Sequence, residues 1–183
     1  MDGDKVREFM ELAGQAHLSE QDEIPEDLRK LGAQLLLSEV LEYIIMGLGV
    51  TPIVDGLKIK DANSLQYEIG ADTDRLEMLD GLADVAYTMY WNMHAFSLKL
   101  EDAFKRVCDN NLKKFVLLED WHKNAGPLER SEWDLGRGIS WPAEVVQVEV
   151  LRVNNNYYAV GKDRRGKVRK PSTYARVDLG DLV

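Results

Sequence analysis

The chain has 183 residues, of which 45% are hydrophobic and 30% charged, and a formal net charge of -9. This is ordinary globular composition and excludes intrinsic disorder, while the negative charge argues against a nucleic-acid partner, because such binding needs clustered Lys and Arg. The one cysteine, Cys108, excludes an intrachain disulfide, and no apolar run reaches membrane-spanning length. We therefore expect a cytoplasmic protein with no membrane partner.

Four helical patterns fill the first two thirds of the chain. A short first helix ends near Gly14, and a second begins at Pro25, which suits a first helical turn. The second helix extends to about Met46, the third covers residues 73–95 and the fourth covers residues 100–118. The third helix is apolar on most sides, so we expect it at the centre of the fold.

The character of the chain changes after Glu119. About twenty loop residues precede the alternating Val146, Val148 and Val150, and the asparagines 154–156 then form a turn into a second short apolar run. This period of two followed by a turn predicts a β-hairpin. The sequence thus predicts a helical catalytic domain over residues 1–118, followed over residues 119–183 by a loop, the hairpin and a basic C-terminal segment.

Carboxylates interrupt the two long apolar helices at helical spacing. Glu39 and Glu42 are three residues apart on the second helix, and Glu77, Asp80 and Asp84 follow one face of the third. If these helices pack side by side, the carboxylates converge and need a cation, and hard oxygen ligands of this kind suit Mg²⁺ or Mn²⁺. The alternative is that each set is a solvated helix face, as is usual for exposed charges.

Two acidic motifs resemble those of the all-α nucleoside triphosphate pyrophosphohydrolases, which include MazG, dimeric dUTPases and phosphoribosyl-ATP pyrophosphohydrolase. The first is LLSEVLE, residues 36–42, and the second is EMLDGLADVAY, residues 77–87. Two positions depart from the family pattern, because Ser38 and Gly81 stand where glutamates are usual. The resemblance implies a metal site built from Glu39, Glu42, Asp80 and Asp84, with Glu77 one turn further back.

Three further segments add to the resemblance. The end of the fourth helix is similar to the family's phosphate-binding asparagine and lysine, which map to Asn111 and Lys114. The C-terminal GKVRKP, residues 166–171, looks like that of the phage and bacterial branch and adds Lys167 and Lys170 as phosphate ligands. Gln15 matches a possible nucleotide-binding position near the start of that branch.

The resemblance implies an all-α, MazG-like four-helix bundle core with a small C-terminal β-hairpin appendage. It also implies a Mg²⁺- or Mn²⁺-dependent enzyme that cleaves a nucleoside triphosphate to the monophosphate and pyrophosphate, with Glu39 as the candidate general base. The expected partners are the nucleotide and further copies of the chain, in a dimer or a tetramer.

Two other functions remain open at this point. Ser38 and Gly81 fit a catalytically weakened, MazG-like binding or regulatory protein. The seven basic residues between Lys162 and Arg176, interrupted only by Asp163, fit a nucleic-acid-binding module or a charged strand edge that resists aggregation. Lys114 alone also fits a solvated lysine near a helix C-terminus.

Overall fold

The computed structural model describes residues 3–15, 17–61 and 65–183. The chain divides into two units, which we call the helical unit (residues 18–86) and the sheet unit (residues 1–17 and 87–183). The described residues form four α-helices and seven strands in two antiparallel sheets. The expectation of an all-α bundle with a small hairpin is therefore wrong, and the fold is mixed α and β.

The helices begin close to where the sequence predicts them. They are α1 (Gly3–Ala13), α2 (Glu26–Glu42), α3 (Arg75–Ala95) and α4 (Leu100–Leu112). Pro25 precedes α2, and the acidic Glu26 and Asp27 lie in its first turn, where the helix dipole favours negative charge. The chain continues from α2 into one π-helical turn, Tyr43–Gly47.

The larger sheet contains five strands, β3 (Val116–Leu117), β4 (Gly126–Pro127), β5 (Val145–Val153), β6 (Asn156–Asp163) and β7 (Val168–Arg169). Their order is β3-β6-β5-β4, with β7 also paired to β6. Asn154 and Asn155, with φ of 49° and 66°, join β5 to β6 in a two-residue turn that suits a tight hairpin. The hairpin forms where the sequence predicts it, but it is the centre of this sheet and not an appendage.

The two faces of the β5–β6 hairpin pack against different parts of the sheet unit. On one face Val160 packs with Leu12 and Ala13 of α1 and with Phe115, which follows α4. On the other face Val150 and Ala159 pack with Leu118 and with side chains of the loop before β5, which are Trp121, Leu128 and Leu135. Alternate residues of each strand thus contribute to two separate core clusters, one on each face of the sheet.

The fourth helix is shorter than expected. It ends at Leu112, and residues Val116 and Leu117 pair with Tyr158 and Ala159 of β6 as strand β3. The apolar spacing that predicted helix to residue 118 also fits this turn followed by a strand. Pairing with β6 satisfies backbone groups that a longer helix would expose, so the sheet determines where the helix ends.

The helical unit contains α2, the first part of α3 and a two-strand hairpin, β1 (Ile53–Val54) and β2 (Leu57–Lys58). Two arginine hydrogen bonds link the segments at the starts of α2 and α3. Arg29 donates to the Ala71 carbonyl (2.5 Å), and Arg75 donates to the Asp22 carbonyl (2.7 Å). Leu41 is the one buried apolar side chain among this unit's described residues.

The expectation that the third helix lies at the centre of the fold is wrong for a single chain. All of residues 75–84 are exposed, including Leu76, Leu79 and Leu82. Within the helical unit no described element covers this end of α3. Separately, none of the described helices combines the length and apolar character that a membrane span requires.

Candidate functional site

The first carboxylate row, Glu39 and Glu42, lies in the last turns of α2. Both side chains are exposed, and the helical spacing places them on the side of α2 that also carries Leu35. Ser38, which stands in place of the usual glutamate, donates its hydroxyl hydrogen bond to the Leu35 carbonyl (3.0 Å). That hydroxyl is therefore engaged with its own helix.

The second carboxylate row, Glu77, Asp80 and Asp84, lies in the first three turns of α3. Asp74 precedes the helix, and its carboxylate accepts the N–H groups of Leu76 (2.8 Å) and Glu77 (3.3 Å) as an N-terminal cap. The cap fixes the start of α3 and hence the face on which the row lies. All three carboxylates of the row are exposed.

The two rows do not assemble into a metal site within one chain. Beyond their linked starts, α2 and α3 have no extended packing contact. The described residues contain no group of three His, Cys, Asp or Glu side chains placed to hold a metal ion. None of the five carboxylates has a hydrogen-bond or ion-pair partner in the described structure. One copy therefore does not fit the divalent cation that the motifs imply.

The predicted phosphate ligands lie in the sheet unit, and most of them collect along one edge of β6. Strand β5 pairs with one side of β6, so β3 and β7 both lie along the other side, end to end. Lys114 precedes β3, while Lys167 and Lys170 flank β7. We call Lys114, Lys167, Arg169 and Lys170 the basic edge.

The structure defines the surroundings of the side chains predicted to bind phosphate or nucleotide. The Lys114 ammonium lies 5.3 Å from the centre of the Phe9 ring, and the Lys170 ammonium lies 4.8 Å from that of Tyr174. Asn111 is half-buried in the last turn of α4. Gln15 is exposed just after α1, where its N–H donates to the Met10 carbonyl (2.9 Å).

Asp163, the one acid among the C-terminal basic residues, organises the turn between β6 and β7. Its carboxylate accepts the N–H groups of Arg165 (2.8 Å) and Lys167 (3.0 Å) and pairs with the Arg169 guanidinium (2.7 Å). Burial alone would raise the pKa of the Asp163 carboxyl, but these hydrogen bonds outweigh burial and hold the pKa below its usual value. The carboxylate stays charged and holds the turn with Arg164 and Arg165 exposed.

The chain matches no protein-family model, no curated protein and no solved structure. Three features of the chain bear on its function, and these are the acidic motifs, the carboxylate rows and the basic edge.

Two polar residues of α4, Arg106 and Asn110, hold the C-terminal segment in place, and neither of them was assigned a role from the sequence. Asn110 is buried, and in the amide orientation that suits its neighbours it donates to the Ala175 carbonyl (3.0 Å) and accepts from the Val177 N–H (3.3 Å) and the Tyr174 hydroxyl (2.5 Å). Arg106 binds both oxygens of Asp181, at 2.5 and 2.7 Å. These contacts fasten residues 171–183, which we call the C-terminal strap, to α4.

The sequence held one usable signal for these contacts. Helix α4 carries Arg106 and Asn110 four residues apart, so both lie on one face, and the strap carries Asp181. Which of the neighbouring Asn110 and Asn111 faces inward depends on the exact helix register, which the motif alone does not fix.

The aromatic side chains near the end of α3 form an exposed surface within the sheet unit. Tyr87, Tyr90, Trp91 and His94 line an open concavity of about 450 Å³. In one chain Tyr87 and Trp91 are each more than half exposed. Their packing thus depends on what covers α3.

Proposed function

We propose that this chain is a Mg²⁺- or Mn²⁺-dependent nucleoside triphosphate pyrophosphohydrolase. It would hydrolyse a ribo- or deoxynucleoside triphosphate at the α-phosphorus and release the monophosphate and pyrophosphate. The observation that carries the proposal is the pair of carboxylate rows, which present five acidic side chains without a cationic partner among the described residues. In a single chain all five are exposed and carry no burial cost; a compensating cation would be needed only where another surface covers them.

The charge distribution supports an anionic substrate bound with a divalent cation. The helical unit contains fifteen acidic and five basic residues, a net charge of -10, whereas the sheet unit contains seventeen acidic and eighteen basic residues, a net charge of +1. The acidic excess is thus confined to the unit with the carboxylate rows. The basic edge supplies the positive charge that phosphate oxygens require.

The reaction assigns different tasks to these two groups. Water attacks the α-phosphorus, the bond between that phosphorus and the oxygen bridging to the β-phosphorus breaks, and pyrophosphate leaves. Glu39 is our candidate to accept the proton from the water. Lys114, Lys167, Lys170 and Asn111 would hold the outer phosphates and offset the charge that develops as pyrophosphate departs.

We propose further that the active form is a homo-oligomer, a dimer or a tetramer. Large apolar side chains of α2 and α3 are exposed to solvent in a single copy. Burying them against further copies would release water from apolar surface, which favours association.

A second candidate is a non-catalytic protein that binds a polyanion. Arg164 and Arg165 are exposed on the turn that Asp163 organises, and they extend the basic edge into solvent. This candidate predicts binding that weakens steeply with salt and does not require the carboxylate rows.

The deciding experiment is pyrophosphate release from a panel of ribo- and deoxynucleoside triphosphates with Mg²⁺, with Mn²⁺ and with EDTA. The variant Asp84→Asn removes a charge from the second row, and Asp72→Asn removes one from an exposed aspartate of the same unit outside the rows. We expect turnover that needs the cation, is lost in Asp84→Asn and persists in Asp72→Asn. A folded wild-type chain that releases no pyrophosphate from any nucleotide would exclude the enzyme and favour the polyanion-binding candidate.

A further inference from the structure

The cations of the basic edge differ in what holds each of them. Arg169 pairs with the Asp163 carboxylate, which offsets its charge. Lys170 is exposed and has no carboxylate partner in the described part of the chain. Its ammonium instead lies 4.8 Å from the centre of the Tyr174 ring. An aromatic face attracts an ammonium at this distance but has no net charge, so Lys170 is held in place and keeps its full positive charge.

The Tyr174 ring is itself fixed through its hydroxyl group. The hydroxyl donates to the Asn110 amide oxygen at 2.5 Å, and Asn110 is buried in α4. The same amide bonds to the backbone of Ala175 and Val177, which sets its orientation. The hydroxyl therefore anchors the ring to a buried side chain that is fixed by its other hydrogen bonds, while a ring face contacts Lys170.

The backbone between Lys170 and Tyr174 is also fixed. The Tyr174 N–H donates to the Pro171 carbonyl (3.0 Å), which closes a turn. The Ser172 N–H donates to the Ser140 carbonyl (2.8 Å), and the Ser140 N–H donates in return to the Ser172 hydroxyl (3.0 Å). The lysine and the ring therefore meet across a short segment whose backbone is tied to the loop before β5.

Holding a lysine in advance has a defined effect on anion binding. A long side chain that moves freely loses rotamer freedom when it binds a phosphate, and this loss lowers the affinity. A lysine that already lies over a ring has lost part of that freedom before the anion arrives. More of the attraction between the opposite charges then contributes to affinity.

We propose that Tyr174 is a positioning residue, which holds Lys170 in place to bind the outer phosphates of a triphosphate. Tyr174 acts on the ligand through Lys170 and not by contact of its own. This inference rests on the proposed function for the identity of the anion. It gives a residue of the C-terminal strap a part in substrate affinity, besides its part in fastening the strap to α4.

The test measures binding of inorganic tripolyphosphate by isothermal titration calorimetry, with EDTA present so that no divalent cation takes part. Tyr174→Leu removes the ring, and Lys170→Met removes the charge from an unbranched side chain. We expect each to weaken binding, Tyr174→Leu by about three- to tenfold, which corresponds to the cost of ordering one long side chain. In the Lys170→Met background, Tyr174→Leu should have no further effect, because the ring then has no ammonium to hold.

Two controls use neighbouring cations and rings. In a Lys167→Met background, Tyr174→Leu should keep its full effect, because Lys167 has no contact with that ring. Tyr157→Leu removes a ring that lies 5.8 Å from the Arg152 guanidinium, at the opposite end of β6 from β7. We expect Tyr157→Leu to leave the tripolyphosphate affinity unchanged.

The conservative variant Tyr174→Phe separates positioning from a purely structural role. It keeps the ring and the fixed backbone but removes the hydroxyl, so Asn110 loses a hydrogen-bond partner. We expect a lower melting temperature with most of the tripolyphosphate affinity retained. If Tyr174 served the fold alone, affinity would fall together with stability in both Tyr174→Phe and Tyr174→Leu.

Three results would overturn the inference. These are wild-type affinity in Tyr174→Leu, a loss of affinity that persists in the Lys170→Met background, and a wild-type chain that binds no tripolyphosphate. Pyrophosphate release from nucleotides, measured on the same proteins, tests the proposed function separately. Turnover without the expected pattern of affinities would leave the enzyme in place and defeat the inference. The expected pattern without turnover would support the role of Tyr174 and exclude the enzyme.

Discussion

The Trp141 indole occupies the space that a side chain at Gly161 would need. A Cβ atom built on Gly161 would lie 2.4 Å from Cε3 of Trp141, well inside van der Waals contact. The indole cannot easily withdraw, because its Nε1–H donates to the Trp133 carbonyl at 2.9 Å. Trp141 thus closes over the centre of β6 and fixes the loop before β5 against the sheet.

Gly161→Ala should therefore destabilise the sheet unit. We expect a loss of about 1–3 kcal/mol in the free energy of unfolding, as for other overpacked interiors, measured by urea denaturation followed by circular dichroism. Gly3→Ala is the control, since a Cβ atom there would meet nothing within 4 Å. In a Trp141→Ala background the cost of Gly161→Ala should largely disappear, and an unchanged cost would contradict the packing argument.

Asn110 and Asn111 should behave differently despite being neighbours. Asn110→Ala leaves the Ala175 carbonyl, the Val177 N–H and the Tyr174 hydroxyl without their partner, so we expect a stability loss of about 1–3 kcal/mol. Asn111→Ala should leave thermal stability nearly unchanged and weaken nucleotide binding, measured by calorimetry. Equal effects of the two substitutions on both quantities would refute the division of roles.

The contact between Arg106 and Asp181 should make the C-terminal strap sensitive to acid. The hydrogen bond from Arg106 lowers the pKa of Asp181 from its usual 3.8 to about 2. Because the folded pKa lies below the unfolded value, this contact stabilises the fold above about pH 4, and the contribution disappears as the pH falls through about 2.

Asp181→Asn tests this pH dependence. At neutral pH we expect it to lower the melting temperature, and near pH 2 the variant and the wild type should converge. Asp120→Asn, at an exposed aspartate, provides the control. A difference between Asp181→Asn and wild type that stayed constant from neutral pH to pH 2 would show that the ion pair is not the cause.

Restoring the usual glutamates should strengthen the proposed metal site. Ser38→Glu and Gly81→Glu each add a carboxylate beside an existing row, and more oxygen ligands favour Mg²⁺ and Mn²⁺. We expect higher Mn²⁺ affinity and faster pyrophosphate release from the double variant than from wild type. Asp72→Glu, which adds no carboxylate, is the control, and lower affinity in the double variant would argue that Ser38 and Gly81 are adaptations of this chain.

Local signals in the sequence predicted the local elements. Pro25 marks the start of α2, and the asparagines after β5 mark the hairpin turn, because these residues act through their own backbone preferences. The sheet was missed because β3, β4 and β7 are two residues long, and strands so short form only where tertiary packing presents a partner edge. The same packing ends α4 at Leu112.

For the candidate site, too, the sequence predicts local spacing but not tertiary packing. Spacing alone places Glu39 with Glu42, and Asp80 with Asp84, because helical geometry fixes each row. It does not determine whether the two helices pack together, and within one chain they do not. The resemblance assigns a role to Asn111 and none to Asn110. Which of the two asparagines is buried depends on the register of α4 against the strap, and the structure buries Asn110.

The division into two units has a spectroscopic consequence. All four tryptophans, at positions 91, 121, 133 and 141, belong to the sheet unit, and the helical unit has none. Indole fluorescence therefore follows the sheet unit, whereas ellipticity at 222 nm also reports on α2. If the helical unit loosens first when copies separate, dilution will reduce the ellipticity while the emission maximum stays fixed.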